Sequence, residues 1–459
     1  MKKKCFNIVW LIAVLLSFTA CNDFLDIQPI GKVMPKTGQE FRDLLTEAYS
    51  AIPPERGKTV YRSDELILDQ GSTTSDGLNL YLDIWRWKDG SEDESTTSFG
   101  WLTFYYVSYI ANTVIENKNA IIEVTEAQRN QLAGEAYMLR AYMHYVLVNL
   151  YAPPYTHCNP ATTKGIPLKL SSDVRDVLSR NTVAEVYSSI LSDINEAENL
   201  LNVETWPEGE TYRFNKLSVN AFRARIYLYM GDWLKAYQDA TKVVEQHNEL
   251  EDMTSSSLLP NHYQSAEAIV SFEKVFIPEF QTNGRVSNNL LNLYRSGDMR
   301  KSKFYRAETT SISYVTKGGN NEYRCTFRTA EFYLTAAEAA LELNDMDNAH
   351  YYLTELMKKR YHSSRYPTYE ALILSMTKDE LRQEIYDERF RELAFEGHRW
   401  FDLRRTNRPE LTKTWGNLYP PKGRRTLYSS HSVRSDSSQS RIGRRIRFII
   451  QYKFKQILL

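Results

Sequence analysis

Asp387-Glu388-Arg389-Phe390-Arg391-Glu392-Leu393-Ala394-Phe395-Glu396-Gly397-His398-Arg399-Trp400-Phe401-Asp402-Leu403-Arg404-Arg405 threads apolar residues through a dense run of charges. Leu381, Ile385, Phe390, Leu393, Ala394 and Phe401 recur close to a helical period, which predicts an amphipathic helix from about Lys378. Thr377 with Asp379 ahead of that run forms an N-terminal cap. Asp387 and Arg391 lie four apart, and Glu396 and Arg399 three apart, so each pair is spaced to meet along one face. Two readings follow. His398 with Glu392 or Glu396 makes an acid/base pair, or all three belong to a salt-bridged wall that locks the last helix to the core. The second is preferred, because His398 has no evident nucleophile or metal partner beside it.

Working outward, three regions have the pattern of long helices. The first runs from about Glu126 to Tyr151 and stops before Pro153-Pro154. The second begins near Lys216, turns at Gly231-Asp232 and resumes through Trp233, Ala236, Tyr237 and Ala240. The third begins near Thr329, turns near Asn344-Asp345 and resumes through Ala349, Tyr352 and Leu356. Small residues beside bulky ones, with a short polar turn between, resemble tetratricopeptide-type hairpins. Their irregular spacing predicts a helical scaffold with long insertions rather than a tandem solenoid. Further helices are expected over residues 39–51, 101–120 and 183–201, and a short strand around residues 268–272.

Function is expected in the insertions, since binding residues concentrate on loops held by a rigid frame. One insertion spans about residues 53–99 and the other about 247–324. The first contains Asp76, Asn79, Tyr81, Trp85, Arg86 and Trp87. In a strand, Trp85 and Trp87 project to one face and form a platform for sugar rings, with Tyr81 beside them. Asp76, Asn79 and Arg86 are then the hydrogen-bonding groups for sugar hydroxyls. The alternative is that one or both indoles fill the core.

The chain has 57 basic and 57 acidic residues. The balance is uneven along it: the stretch from Lys422 is strongly basic, and Lys2, Lys3 and Lys4 head an apolar run. The body between carries a net charge of roughly −12, which argues against a nucleic-acid partner. No His-Glu-x-x-His run, paired Cys-x-x-Cys or Gly-x-Ser-x-Gly elbow occurs, so no metal, cofactor or catalytic residue is expected. Cys158 and Cys325 remain open as a disulfide or as two thiols.

Lys2 to Lys4, the apolar run from Phe6 to Ala20, and Phe18-Thr19-Ala20-Cys21 resemble a lipoprotein signal and cleavage site. Residues 1–20 are then a signal peptide, Cys21 the lipidated first residue, and 21–38 a tether. The run is too short for a secure membrane span. Asn22-Asp23-Phe24-Leu25-Asp26-Ile27-Gln28-Pro29 strongly resembles the mature start of SusD/RagB-family outer-membrane lipoproteins of Bacteroidota. The segment from Asp387 to Arg405 resembles the signature of the same family.

The resemblance implies a mainly α fold: a SusD-like domain over residues 39–421, with tetratricopeptide-like hairpins near 126–155, 214–246 and 327–361. Its insertions are loop-rich and contain a few short β-strands. It also implies a non-catalytic, lipid-anchored protein of the outer membrane that faces the cell exterior. Such a protein captures oligosaccharides for a SusC-like TonB-dependent transporter. A peptide-uptake role of the RagB type is the alternative, and an envelope hydrolase a third.

The tail departs from the family. Residues 422–459 are rich in Arg and Ser and have no helical period, whereas family members tend to end in a stretch resembling PIP.SE…NP. Residues 423–443 have synonymous codons whose second frame reads EDERFIPPIPSEATLLNPEL. A one-base frameshift near Pro420-Pro421-Lys422-Gly423 is therefore expected; a genuine basic tail is the alternative.

Overall fold

The computed structural model describes residues 35–68, 80–88, 97–309, 313–318, 324–411 and 413. Its longer helices are α1 (Gly38–Ala51), α2 (Leu102–Asn117), α3 (Glu126–Tyr151), α4 (Val183–Leu200), α5 (Lys216–Met230), α6 (Trp233–Gln246), α7 (Thr329–Glu342), α8 (Met346–Lys358), α9 (Tyr366–Leu374), α10 (Lys378–Glu392) and α11 (Arg399–Arg405). The expected mainly helical fold is therefore present. No helix among the described residues is long and apolar enough to cross a membrane.

Local chemistry sets the helix starts. Thr37, Thr125, Thr182 and Thr377 each accept from the backbone N–H three residues on. In return, Glu40, Gln128, Glu185 and Glu380 reach back to the capping residue's own N–H. Each reciprocal pair satisfies two donors that the helix cannot. α3 packs along α2 and α4, α5 along α6, and α7 along both α6 and α8. Gly134 on α3 allows close approach, because a Cβ there would lie 2.8 Å from Leu201 Cγ.

The centre of the core is aromatic. The Tyr142 ring lies 5.2 Å from Phe272, 5.3 Å from Phe222 and 5.5 Å from Tyr145. Its hydroxyl donates to Glu273 at 2.6 Å, and Arg56 pairs with the same carboxylate at 2.9 Å. The polar tip of a buried tyrosine thus has a charged acceptor.

Strands are short and occur in antiparallel pairs. β1 (Leu66–Leu68), β2 (Lys164–Pro167), β3 (Arg180–Thr182), β4 (Ala268–Val270), β5 (Gly284–Val286), β6 (Tyr305–Ala307), β7 (Ser313–Val315) and β8 (Phe327–Arg328) pair as β1–β5, β2–β3, β4–β8 and β6–β7. The β1–β5 ladder aligns Leu66 with Val286 and so joins the two insertions. The β4–β8 pair fastens the second insertion to the start of α7.

The structure corrects the reading of the Asp387–Arg405 segment in two ways. First, it is not one helix. α10 ends at Glu392, the backbone turns left-handed at Phe395 (φ +62°) and Gly397 (φ +71°), and α11 restarts at Arg399. A Cβ on Gly397 would lie 2.7 Å from the Arg56 carbonyl oxygen, so the turn requires glycine for both conformation and space. The Lys317 ammonium bonds the Glu392 and Ala394 carbonyls, which the end of the helix leaves unpaired. Second, the ion pairs are not those that spacing suggests. Arg391 pairs with Glu384 and Glu388, Asp387 accepts from Gln383, Glu396 pairs with Lys317 and Arg328, and Arg399 pairs with Asp64. For Glu396 and Arg399, partners from distant segments displace the local ones because they are buried, where a charge pair is stronger than on a wet helix face, whereas Arg391 and Asp387 re-pair with other residues of α10. Cys158 and Cys325 are both free thiols.

Candidate functional site

The signature segment builds a buried charge cluster. Glu392 accepts from Arg328 Nη1 at 2.7 Å, Arg300 Nη1 at 2.8 Å, and Arg360 Nε and Nη2 at 2.8 and 2.9 Å. Glu267 pairs with Arg328 and Arg360, Glu388 with Arg300 and Arg391, and Glu396 with Lys317 and Arg328. Burial alone would raise Glu392, but Arg360 and Arg328 hold it well below the usual carboxylate range. The cluster therefore stays ionised, and it ties the start of α7, the end of α8 and α10 to the second insertion.

His398 sits at its edge, 3% exposed. Burial, then the nearby Arg56 and Arg225 guanidinium groups, push its pKa well below the ordinary histidine value. A neutral, enclosed imidazole is poorly placed for proton transfer to a substrate. A cavity of about 260 Å³ lies beside α10 and α11 and is lined by Tyr386, Arg389, Arg399, Asp402 and Arg405. Its charges are already matched: Arg389 and Arg405 bond Asp402, and Arg399 bonds Asp64. Glu392 and Glu396 take the locking-wall arrangement, whereas His398 Nδ1 has no hydrogen-bond partner among the described residues.

The first insertion differs from the strand reading. Leu82–Trp85 is a single helical turn, and Trp87 is left-handed (φ +59°). The two indoles are therefore not related by strand alternation. Trp85 is 2% and Tyr81 5% exposed. Tyr81 stacks on Tyr61 with ring centroids 4.4 Å apart, and Tyr61 packs against Phe280 at 5.2 Å. These two candidate contacts are corrected: both rings fill the core under the insertion, where burial of so large an apolar surface is most favourable. Trp87 is half-buried, and its indole N–H donates to the Arg62 carbonyl at 2.9 Å. The Lys413 ammonium lies 4.6 Å from the Trp87 ring and 5.3 Å from that of Trp85, a cation–π arrangement. Arg86 is exposed beside them. Asp76, Asn79 and Cys21 lie outside the described residues.

Sequence reasoning missed the partners of the signature. Arg300, Arg328, Arg360 and Lys317 are each at most 1% exposed. The available signal was a basic residue standing in an apolar or β-rich stretch, as in Cys325-Thr326-Phe327-Arg328 and Tyr314-Val315-Thr316-Lys317. Long basic side chains are almost never fully buried unless paired.

Two family models match the chain. One, described as SusD family, covers residues 203–444; the other, described as starch-binding associating with outer membrane, covers residues 23–228. Two SusD-like proteins of Formosa agariphila are 21% and 24% identical. Their alignments cover 86% and 89% of this chain and 89% and 93% of the relatives. Among solved structures, a SusD superfamily protein from Bacteroides fragilis superposes with a TM-score of 0.71 at 21% identity, covering 84% of this chain and 93% of that one. A laminarin-binding SusD-like protein superposes with a TM-score of 0.60 at 19% identity, covering 81% and 92%.

Proposed function

The chain belongs to the SusD family, and from that premise we propose that it is a surface-exposed lipoprotein that captures oligosaccharides for a partner SusC-like TonB-dependent transporter. The observation that carries this reading is the pair of family matches. Together they run from residue 23 to 444, and one is described as starch-binding and associating with the outer membrane.

The chemistry required is binding without turnover. A rigid helical frame presents aromatic faces to the apolar C–H surfaces of sugar rings, and polar groups take the hydroxyls. Among the described candidate residues of the insertion, Trp87 and Arg86 keep access to solvent. Lipidation at Cys21 would tether the module to the outer membrane, and its residence beside a transporter would raise the effective concentration of captured glycan. The transporter would supply the energised step.

A glycan array followed by calorimetry tests this reading, with laminarin and starch fragments included. Oligosaccharide binding weakened by Trp87→Ala is the expected result. Binding of peptides alone would replace it with a peptide-uptake role, and cleavage of any glycan would replace it with hydrolysis.

A further inference from the structure

A groove separate from the 80–88 insertion lies where α1, residues 209–212 and the second insertion meet. It encloses about 350 Å³, within the size range of small-ligand sites. Tyr49 and Phe272 form an apolar floor, 3% and 2% exposed, with ring centroids 5.6 Å apart. Tyr212 and Tyr263, both half-buried, come from different segments and flank that floor. Thr46 and Ser50 contribute hydroxyls from the exposed face of α1. Thr211 and Ser271 contribute two more, and among the described residues neither side-chain oxygen bonds to the protein. Ser271 is 4% exposed overall, and its hydroxyl lies at the groove lining, where water or a ligand can bond it. Arg324 adds a half-buried guanidinium, and no carboxylate lines the described groove.

The groove is held in shape from behind. The Tyr49 hydroxyl donates to Glu135 at 3.1 Å and accepts from the Phe214 N–H at 3.1 Å. Arg42 and Arg213 pair with Glu135 at 2.8 and 3.0 Å, and Arg213 lies 3.4 Å over the Trp206 ring. The Ser271 N–H donates to the Thr211 carbonyl at 3.0 Å, joining the two walls. The site is thus preorganised, which lowers the ordering cost of binding.

We propose that this groove is a second saccharide-binding site, which takes a neutral pyranoside of one or two rings. The rings sit between the half-buried Tyr212 and Tyr263, above the closed Tyr49–Phe272 floor, and their hydroxyls engage Ser271, Thr211 and Arg324. Hydroxyls and phenols both donate and accept, so they suit a polyol better than an ion or a purely apolar ligand. The proposal rests on the glycan-binding reading above and adds a site that the insertion does not provide.

The test is calorimetric titration of the full chain with oligosaccharides identified on the array. Four proteins are compared: wild type, Tyr212→Ala, Ser50→Trp and Trp87→Ala. Ser50 is exposed at the end of α1, so an indole there plugs the groove without entering the core. Tyr212→Ala should weaken one binding step about tenfold through lost stacking. Ser50→Trp should abolish that step at unchanged melting temperature, and Trp87→Ala should leave it intact. If the wild type binds glycan and Ser50→Trp binds it with the same affinity and stoichiometry, the groove is not a site, and the broader function stands. If the wild type binds no glycan, the broader function falls, and the groove with it.

Discussion

Replacing Glu392 by glutamine should cost about 3–5 kcal/mol of folding stability. The carboxylate is 0% exposed and accepts four hydrogen bonds at 2.7–2.9 Å from three guanidinium groups. Glutamine keeps the shape and one oxygen. Its amide nitrogen, however, faces either the Arg328 and Arg360 donors or the Arg300 and Arg360 donors, with no acceptor to offer. Hydrogen bonds to charged groups contribute about 1.5–3 kcal/mol each, and losing two gives the lower end of the range. The guanidinium groups also remain buried with one negative charge fewer, which gives the upper end. Total stability for a folded domain is about 5–15 kcal/mol, so the loss is a large fraction of the whole. Urea unfolding followed by circular dichroism reads the change as a lower midpoint at unchanged slope. The surface pair Lys358–Glu355, 3.6 Å apart and exposed on both sides, provides the control: Glu355→Gln should stay within about 0.5 kcal/mol. A Glu392→Gln protein within about 1 kcal/mol of wild type would refute the claim that the cluster holds the fold together.

Other outcomes follow from single groups. His144 is buried, and burial with Arg140 nearby pushes its pKa down to about 3. Below pH 6.5 the unfolded chain binds a proton that the folded chain does not, so this group's contribution falls with pH, by about 2 kcal/mol at pH 5. Glu65 has the opposite sign: burial raises it to about 7, so its contribution is full below about pH 4.5 and is lost as pH rises through 7. His144→Gln should therefore flatten the stability difference between pH 7 and 5 relative to wild type; an unchanged slope would remove the assignment. Gly397→Ala should cost at least about 2 kcal/mol through backbone strain and contact with Arg56. Gly209→Ala, at φ +88° with nothing within 4 Å, should cost only about 1, and equal losses in thermal melts would contradict the steric argument. We also propose that the tail after about Pro421 is read out of frame. Sequencing the gene across those codons should show EDERFIPPIPSEATLLNPEL in the second frame, and any other peptide there ends that reading.

Several elements were legible because their causes are local. α3 runs over Glu126–Tyr151, the range its apolar pattern and the following prolines indicate. The turns at Gly231-Asp232 and Asn344-Asp345 separate α5 from α6 and α7 from α8 where small and polar residues interrupt the pattern. The Thr377 cap was legible from its hydroxyl, though its reciprocal partner is Glu380, three residues on, rather than Asp379. The candidate site was much less legible. Trp85 and Trp87 are two apart, which suits a strand face, yet nothing local says that Tyr61 and Phe280 wait beneath the insertion. The groove residues Thr46, Tyr212, Ser271 and Arg324 share no motif, because four separate segments bring them together.

The Asp387–Arg405 segment divides along the same line. Its sequence alone determined a capped helix, a density of charge suited to a structural lock, and a resemblance that names the family. Only the tertiary structure decided where that helix breaks and which charges pair. The Arg56 carbonyl, Lys317, Arg328 and Arg360 arrive from far along the chain. Helical spacing governs which neighbours can meet on a wet surface, whereas burial governs which partners must meet once water is excluded.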